Sequence, residues 1–219
     1  MDKFELVIGN KAYSGWSLRP WLVLKHADIQ FTETRIALYL PGSKEQLLRH
    51  SPVGKVPVLK HGALSVWESL AICEYLAERF PEARLWPMDP AARALARTFS
   101  TEMQSGFGAI RNALSFNCRA HGRRVPISPE VQQELMRVQA LWRGCRETHG
   151  SGGPWLFGHF TIADAMFAPM TLRFATYGIP LDAPSQAYVD TVRDDPPVRE
   201  WIAAAEQENE VIEYAEVGR

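Results

Sequence analysis

Glu68 and Ser69 stand where a β-rich run, Ala63 to Trp67, gives way to a helical pattern, and that placement makes them candidates for holding charge. Ser69 suits a helix N-cap or first helical position. The free N–H groups of such a helix start, with its positive dipole end, form a ready anion site. The Glu68 carboxylate beside them offers itself to a cation. One small patch can therefore hold a ligand with a carboxylate and an amine on one carbon. Upstream, Pro57 interrupts the short β-branched run from Val56 to Leu59. Proline cannot donate to a central ladder, and an X-Pro bend, cis or trans, at the mouth of a site resolves the conflict. Val56 would then turn its backbone N–H and C=O outward, where they can pair with a peptide in β-like fashion.

Positioning these groups takes a strand, a turn, a second strand and a helix, the last marked by Leu70, Cys73, Leu76, Ala77 and Phe80 at near-helical spacing. Before them, Phe4 to Ile8 reads as a buried strand and Asn10 to Gly15 as a polar turn. Leu18 to Ala27 reads as a helix with Leu18, Trp21, Leu22, Leu24 and Lys25 along one side, and Pro20 is tolerable only in its first turn. Phe31 to Leu38 reads as a second strand and Lys44 to His50 as a short helix. The order βαβαββα predicts a mixed sheet with helices on its faces.

Pro81, Pro87 and Pro90 mark a linker, after which strand signals stop. Ala91 to Ala120 reads as one long helix, bent near Gly106 and Gly108. Ser128 caps a helix to about Thr148, and three more run over Thr161 to Tyr177, Ser185 to Arg193 and Pro197 to Asn209. The expected architecture is an α/β thioredoxin-like βαβαββα domain over 1–82, a linker over 83–89 and an all-helical domain over 90–219. Thr161 and Asp164 form a capping box with Asp in the usual Glu place. Such caps contribute roughly 0.5–2 kcal/mol, and Asp164 is read as structural.

Hydrophobic residues make up 46% of the 219, which permits a sizeable core and argues against disorder. A formal net charge of -1 argues against a general nucleic-acid binder. No apolar run approaches a membrane span, and the start Met1-Asp-Lys-Phe-Glu5 lacks a signal-peptide pattern. The three cysteines are far apart, with no C-x-x-C and no metal-ligand spacing. A reduced cytoplasm is the expected compartment.

Val56-Pro57 followed by Glu68-Ser69 and a helix resembles the glutathione site of the cytosolic glutathione transferases, and the element order extends the resemblance over the whole chain. The resemblance implies that the residue before the proline pairs with the cysteinyl backbone of glutathione and that Glu68-Ser69 holds the γ-glutamyl end. It implies glutathione as co-substrate, a small electrophile as the other substrate, a homodimer and a role in detoxification. It also assigns the Thr161/Asp164 box to the central buried helix of the second domain.

Such a site must favour the thiolate, because a free thiol is mostly protonated at neutral pH. Lowering its pKa by two units takes about 2.7 kcal/mol, which a donating hydroxyl at a helix N-terminus can supply. Tyr13-Ser-Gly-Trp-Ser-Leu-Arg19 resembles the Ser-x-x-Ser-x-Arg turn of the serine-type classes, theta and especially zeta. The match makes Ser14 the catalytic hydroxyl, with Ser17 second and Tyr13 below both, while Arg19 adds positive potential. The competing reading has Ser14 and Ser17 simply capping the helix. Lys55 either reaches the glycine carboxylate, as this family implies, or is a solvated edge-strand lysine. His50 reads as a surface residue and Cys73 as core. Gln104 or Ser105 is a candidate to reach the γ-glutamyl group across a dimer interface. Met103, Phe107, Ile110, Arg111 and Trp16 are expected to line the electrophile pocket.

Two alternatives stand beside conjugation. Zeta-type maleylacetoacetate isomerases share the serine turn, but their substrate-carboxylate arginine falls on Thr176. Arg173, about one turn earlier, would need a shifted helix, and Ser14-Gly-Trp16 stands in place of their Ser-Ser-Cys. The third reading is a non-catalytic interaction module on the same fold.

Overall fold

The computed structural model describes residues 3–219, so the first two residues of the expected 1–82 unit lie outside the described part. Four strands form one mixed sheet: β1 (Phe4–Ile8), β2 (Phe31–Arg35), β3 (Val58–His61) and β4 (Leu64–Trp67), in spatial order β2-β1-β3-β4. β1 runs parallel to β2 and antiparallel to β3, with Val7 opposite Val58. The parallel pair needs a crossover, and α1 (Gly15–His26) supplies it. α2 (Ser43–Leu48) and α3 (Ser69–Arg79) complete the βαβαββα order, and this part is thioredoxin-like. The proline conflict resolves by exclusion: β3 begins at Val58, and the Val56–Pro57 bond just before it is cis.

The remaining helices are α4 (Pro90–Ser105), α5 (Gly108–Ala113), α6 (Pro129–His149), α7 (Ile162–Tyr177), α8 (Ala183–Asp194) and α9 (Pro196–Glu206). No helix among the described residues is long and apolar enough to cross a membrane. The expected single helix from Ala91 to Ala120 is broken, not bent. α4 stops at Gly106, Phe107 takes a left-handed φ of 59°, and α5 ends before Leu114. A Cβ at Gly106 would sit 2.8 Å from the Glu102 carbonyl oxygen, so the break requires glycine there.

α1 packs against α3, α7 and α9, and Leu18, Trp21, Leu22, Val23 and Leu24 are all buried. The one-sided apolar face read from the sequence is therefore too narrow, because a helix with neighbours on several sides has no wet stripe. Lys25 departs from the apolar side and pairs with Glu200 at 2.7 Å. The core runs without interruption from the sheet through α1 into α7, and a smaller cluster of Val7, Ile36, Leu47 and Val58 lies under α2.

The capping box is present and fully buried. Asp164 Oδ2 accepts from the Thr161 N–H at 2.8 Å and the Thr161 hydroxyl at 3.0 Å, while Oδ1 accepts from the Leu156 N–H at 3.0 Å and the Tyr188 hydroxyl at 3.1 Å. Four donors fill this carboxylate, which ties the start of α7 to α8 and to the segment before it.

Candidate active site

β1 delivers the chain into a turn at residues 10–14, where the Ser14 N–H donates to the Asn10 carbonyl at 2.8 Å. α1 starts there with Ser14 as its N-cap. Ser14 Oγ accepts from the Ser17 N–H at 3.3 Å and lies 2.8 Å from Ser17 Oγ. Ser17 Oγ in turn accepts from the Gly9 N–H at 3.2 Å. Ser14 therefore caps α1, whereas Ser17, inside the helix, ties it to the backbone after β1; of the two, Ser14 also borders open space. It lies on a cavity of about 920 Å³ that Ser17, fully buried, does not line.

Tyr13 borders the same cavity with its hydroxyl already engaged. It donates to Glu216 Oε1 at 2.5 Å and accepts from Arg119 Nη2 at 2.8 Å. Burial, and next the Glu216 carboxylate, push this phenol above its ordinary value. Cys73 is buried in the core as expected, and burial pushes its thiol well up, which makes it a poor nucleophile.

A narrower cleft of about 190 Å³ adjoins the cavity and is lined by Trp16, Lys55, Val56, Pro57, Glu68 and Ser69. Trp16, Lys55 and Val56 border both spaces. The Val56 N–H and C=O have no hydrogen-bond partner among the described residues, since the β1·β3 ladder begins at Val58. Glu68 is the N-cap of α3 with a left-handed φ of 70°, a conformation that costs a non-glycine residue roughly 1–3 kcal/mol. No side chain among the described residues caps the N–H groups of α3, so the anion site predicted at that helix start is open. The Ser69 hydroxyl accepts from Arg19 Nη1 at 3.4 Å and donates to Gln104 Oε1 at 3.2 Å. Gln104 Nε2 lies 3.4 Å from Glu68 Oε2. Gln104 thus reaches Glu68 and Ser69 within its own chain.

The expected pocket lining needs correction. Met103, Phe107 and Ile110 are buried in the core, because the break at Gly106 turns that stripe onto α6 and α7. Arg111 and Trp16 do line the cavity, and Arg173 joins them from α7. Thr176 does not; its hydroxyl donates to the Asn117 carbonyl at 3.0 Å. Arg19 and Arg111 both stack on Trp16, with Cζ at 4.2 and 4.8 Å from the ring centroid. Arg19, Arg111 and Arg173 donate to backbone carbonyls, and none forms an ion pair with a carboxylate among the described residues. Burial, and next the neighbouring Arg111, pull Arg173 down to about 9, and burial also lowers Arg19 and Arg111. Lys44, Tyr39, Phe116, Pro169 and Tyr214 are among the other lining residues and had no sequence signal.

Residues 13–79 match the family described as glutathione S-transferase, N-terminal domain, and residues 119–204 match its C-terminal domain. The chain belongs to the glutathione S-transferase family. Relatives of this transferase-family chain include a probable maleylacetoacetate isomerase of Caenorhabditis elegans, 36% identical over 97 residues, 44% of each chain. Glutathione S-transferase 1 of Dianthus caryophyllus is 32% identical over 53% of this chain and 52% of its own length. The chain thus spans about half the length of these curated relatives. A glutathione transferase homolog from Burkholderia, solved with bound glutathione, is 24% identical, with a TM-score of 0.71 over 94% of this chain and all of its own. Glutathione transferase Omega 2S of Trametes versicolor has a TM-score of 0.73 at 21% identity over 99% of this chain and 100% of its own. The two structures establish the glutathione transferase fold, a thioredoxin-like unit followed by a helical one.

Proposed function

We propose that this chain is a glutathione S-transferase in which Ser14 stabilises the thiolate of bound glutathione for attack on a small electrophile. The observation that carries the reading is the position of the Ser14 hydroxyl, on the wall of the large cavity and next to the cleft formed by Val56, Pro57, Glu68 and Ser69. The unpaired N–H and C=O of Val56 receive the cysteinyl backbone. Pro57 shapes that edge, and Lys55 reaches the glycine carboxylate. The γ-glutamyl carboxylate takes the open N-terminus of α3 at Ser69, and its ammonium takes Glu68. Ser17 donates to Ser14, which leaves the Ser14 proton free to point at sulfur. The thiol proton leaves to solvent. The sulfur lone pair forms the S–C bond, and the leaving group departs with its electron pair. The division into 1–82 and 90–219, a homodimer, a cytoplasmic location and a detoxifying role belong to the same proposal and rest on family membership.

The test is a calorimetric titration with glutathione combined with the ultraviolet absorbance of the bound thiolate across pH. Binding with a lowered thiol pKa supports the reading. Binding without it removes Ser14 from its role. No binding at millimolar glutathione, about -4 kcal/mol on the affinity scale, favours the interaction module.

A second observation concerns the electrophile. Arg111, half-buried, and Arg173, buried, present cations to the cavity with no carboxylate in ion-pair contact among the described residues, and such groups gain most from an anionic ligand. This favours an acidic electrophile and gives specific support to glutathione-dependent cis–trans isomerisation of a maleyl-type acid. Turnover of such an acid without consumption of glutathione establishes that alternative.

A further inference from the structure

The turn that carries Ser14 is not held by its own unit alone. Glu208, just past α9, accepts from the Lys11 N–H through Oε1 at 2.7 Å and from the Ala12 N–H through Oε2 at 3.0 Å. Glu216, near the C-terminus, accepts the Tyr13 hydroxyl and Asn117 Nδ2 on Oε1, with Arg123 and Arg219 on Oε2. Their side chains are 7% and 6% exposed, so both carboxylates are enclosed and specifically partnered. Arg119 closes the ring. It donates to the Glu208 and Glu210 carbonyls and to the Tyr13 hydroxyl, and its guanidinium lies over the Tyr13 ring. The carbonyls of the turn point the other way and are also taken, that of Lys11 by Trp201 Nε1 at 2.9 Å and that of Ala12 by the Cys118 N–H at 3.1 Å.

Between the two carboxylates, Tyr214 and Ala215 form part of the cavity wall. Tyr214 meets Tyr39 from the segment before α2 edge-on at 5.0 Å, and both are largely exposed at the rim, whereas Ser14, Arg19 and Phe116 lie deep. One short segment thus clamps the turn through its two glutamates and shapes the cavity through the residues between them. A serine hydroxyl stabilises a thiolate only within hydrogen-bond reach and near-linear geometry, so a small displacement of the turn weakens that bond without emptying the glutathione cleft, which residues 55–57 and 68–69 form.

We infer that Glu208 and Glu216 are positioning residues for Ser14, and that thiolate stabilisation requires the docked C-terminal segment. This inference rests on the glutathione transferase reading above. Charge and position pull in opposite directions here. Removing a nearby carboxylate charge with nothing else changed lowers the pKa of a bound thiol, whereas loss of the Ser14 hydrogen bond raises it.

The experiment uses the full chain as wild type, Glu208→Gln and Glu216→Gln, with Tyr13→Phe as a milder variant that cuts one Glu216 link. Glutathione affinity is measured by calorimetry and the bound thiol pKa by ultraviolet titration. Expected is a rise of about one unit in thiol pKa, a tenfold smaller thiolate fraction below it, with glutathione affinity within about twofold of wild type. An unchanged or lowered thiol pKa in the folded variants overturns the inference, even where the melting temperature falls, because that is a purely structural tether. If the glutamine variants do not fold, an unchanged thiol pKa in Tyr13→Phe overturns it. A wild type that binds glutathione without lowering its thiol pKa sinks the Ser14 reading instead, and a wild type that binds none sinks both.

Discussion

The hydroxyls of Ser14 and Ser17 lie 2.8 Å apart, yet only Ser14 faces the cavity. Each hydroxyl accepts one backbone N–H, Ser17 from Gly9 and Ser14 from Ser17, and either can donate to the other; when Ser17 donates, the Ser14 proton is available to a ligand. With Ser17 as the donor, the pair forms a chain anchored at one end to the backbone after β1 and open to the cavity at the other.

Ser14→Ala should leave glutathione affinity nearly intact and remove one hydrogen bond to a charged sulfur, worth about 1.5–3 kcal/mol. Turnover should fall about 10- to 100-fold at neutral pH, at about 1.4 kcal/mol per tenfold, and the bound thiol pKa should rise. Steady-state kinetics beside a thiolate titration measure both, and near-unchanged turnover would promote Tyr13 or Ser17.

Ser17→Ala should act chiefly on stability. It strands the buried Gly9 N–H, at about 1–3 kcal/mol for an unsatisfied donor, and leaves Ser14 free to turn its proton elsewhere. Urea unfolding should show the loss, and rescue of both stability and thiol pKa by Thr in place of Ala would tie the effect to the hydroxyl.

Arg111→Met and Arg173→Met test the acidic-electrophile reading. Each removes charge-assisted donors worth about 1.5–3 kcal/mol, so KM for an acidic electrophile should rise about tenfold or more while KM for glutathione stays. Equal effects on acidic and neutral electrophiles would assign the arginines to packing.

Asp164 gives a pH signature. Burial raises its carboxyl to about 6, against the competing pull of its four donors. A carboxyl raised above its unfolded value of about 3.9 binds its proton more tightly in the native state. Its contribution is therefore complete below about pH 4 and is lost as pH rises through about 6. The stability difference between wild type and Asp164→Asn, from urea unfolding, should be larger at low pH than at neutral pH. A gap that is constant or widens with pH would show that the four donors outweigh burial.

What the sequence determined by itself was what local pattern encodes. The strand-to-helix step at Glu68-Ser69, the proline at 57, the capping box at Thr161 and Asp164 and the two-part architecture all show in periodicity, caps and turn residues within a few positions of one another. Tertiary structure decided what depends on approach between distant segments. Ser14 and Ser17 look alike as a pair in sequence, and only the packing of α1 against the sheet and α7 sends one to the cavity and the other to the backbone. Met103, Phe107 and Ile110 carried a helical stripe, but Phe107 at a left-handed φ beside Gly106 ended the helix and turned them inward. Arg173 reached the cavity, and Glu216 reached Tyr13 over a separation of 203 residues, because burial of the common core brings α7 and the C-terminal segment onto the turn after β1. Periodicity reports which face of an element is apolar; it carries no information about which remote element that face will meet.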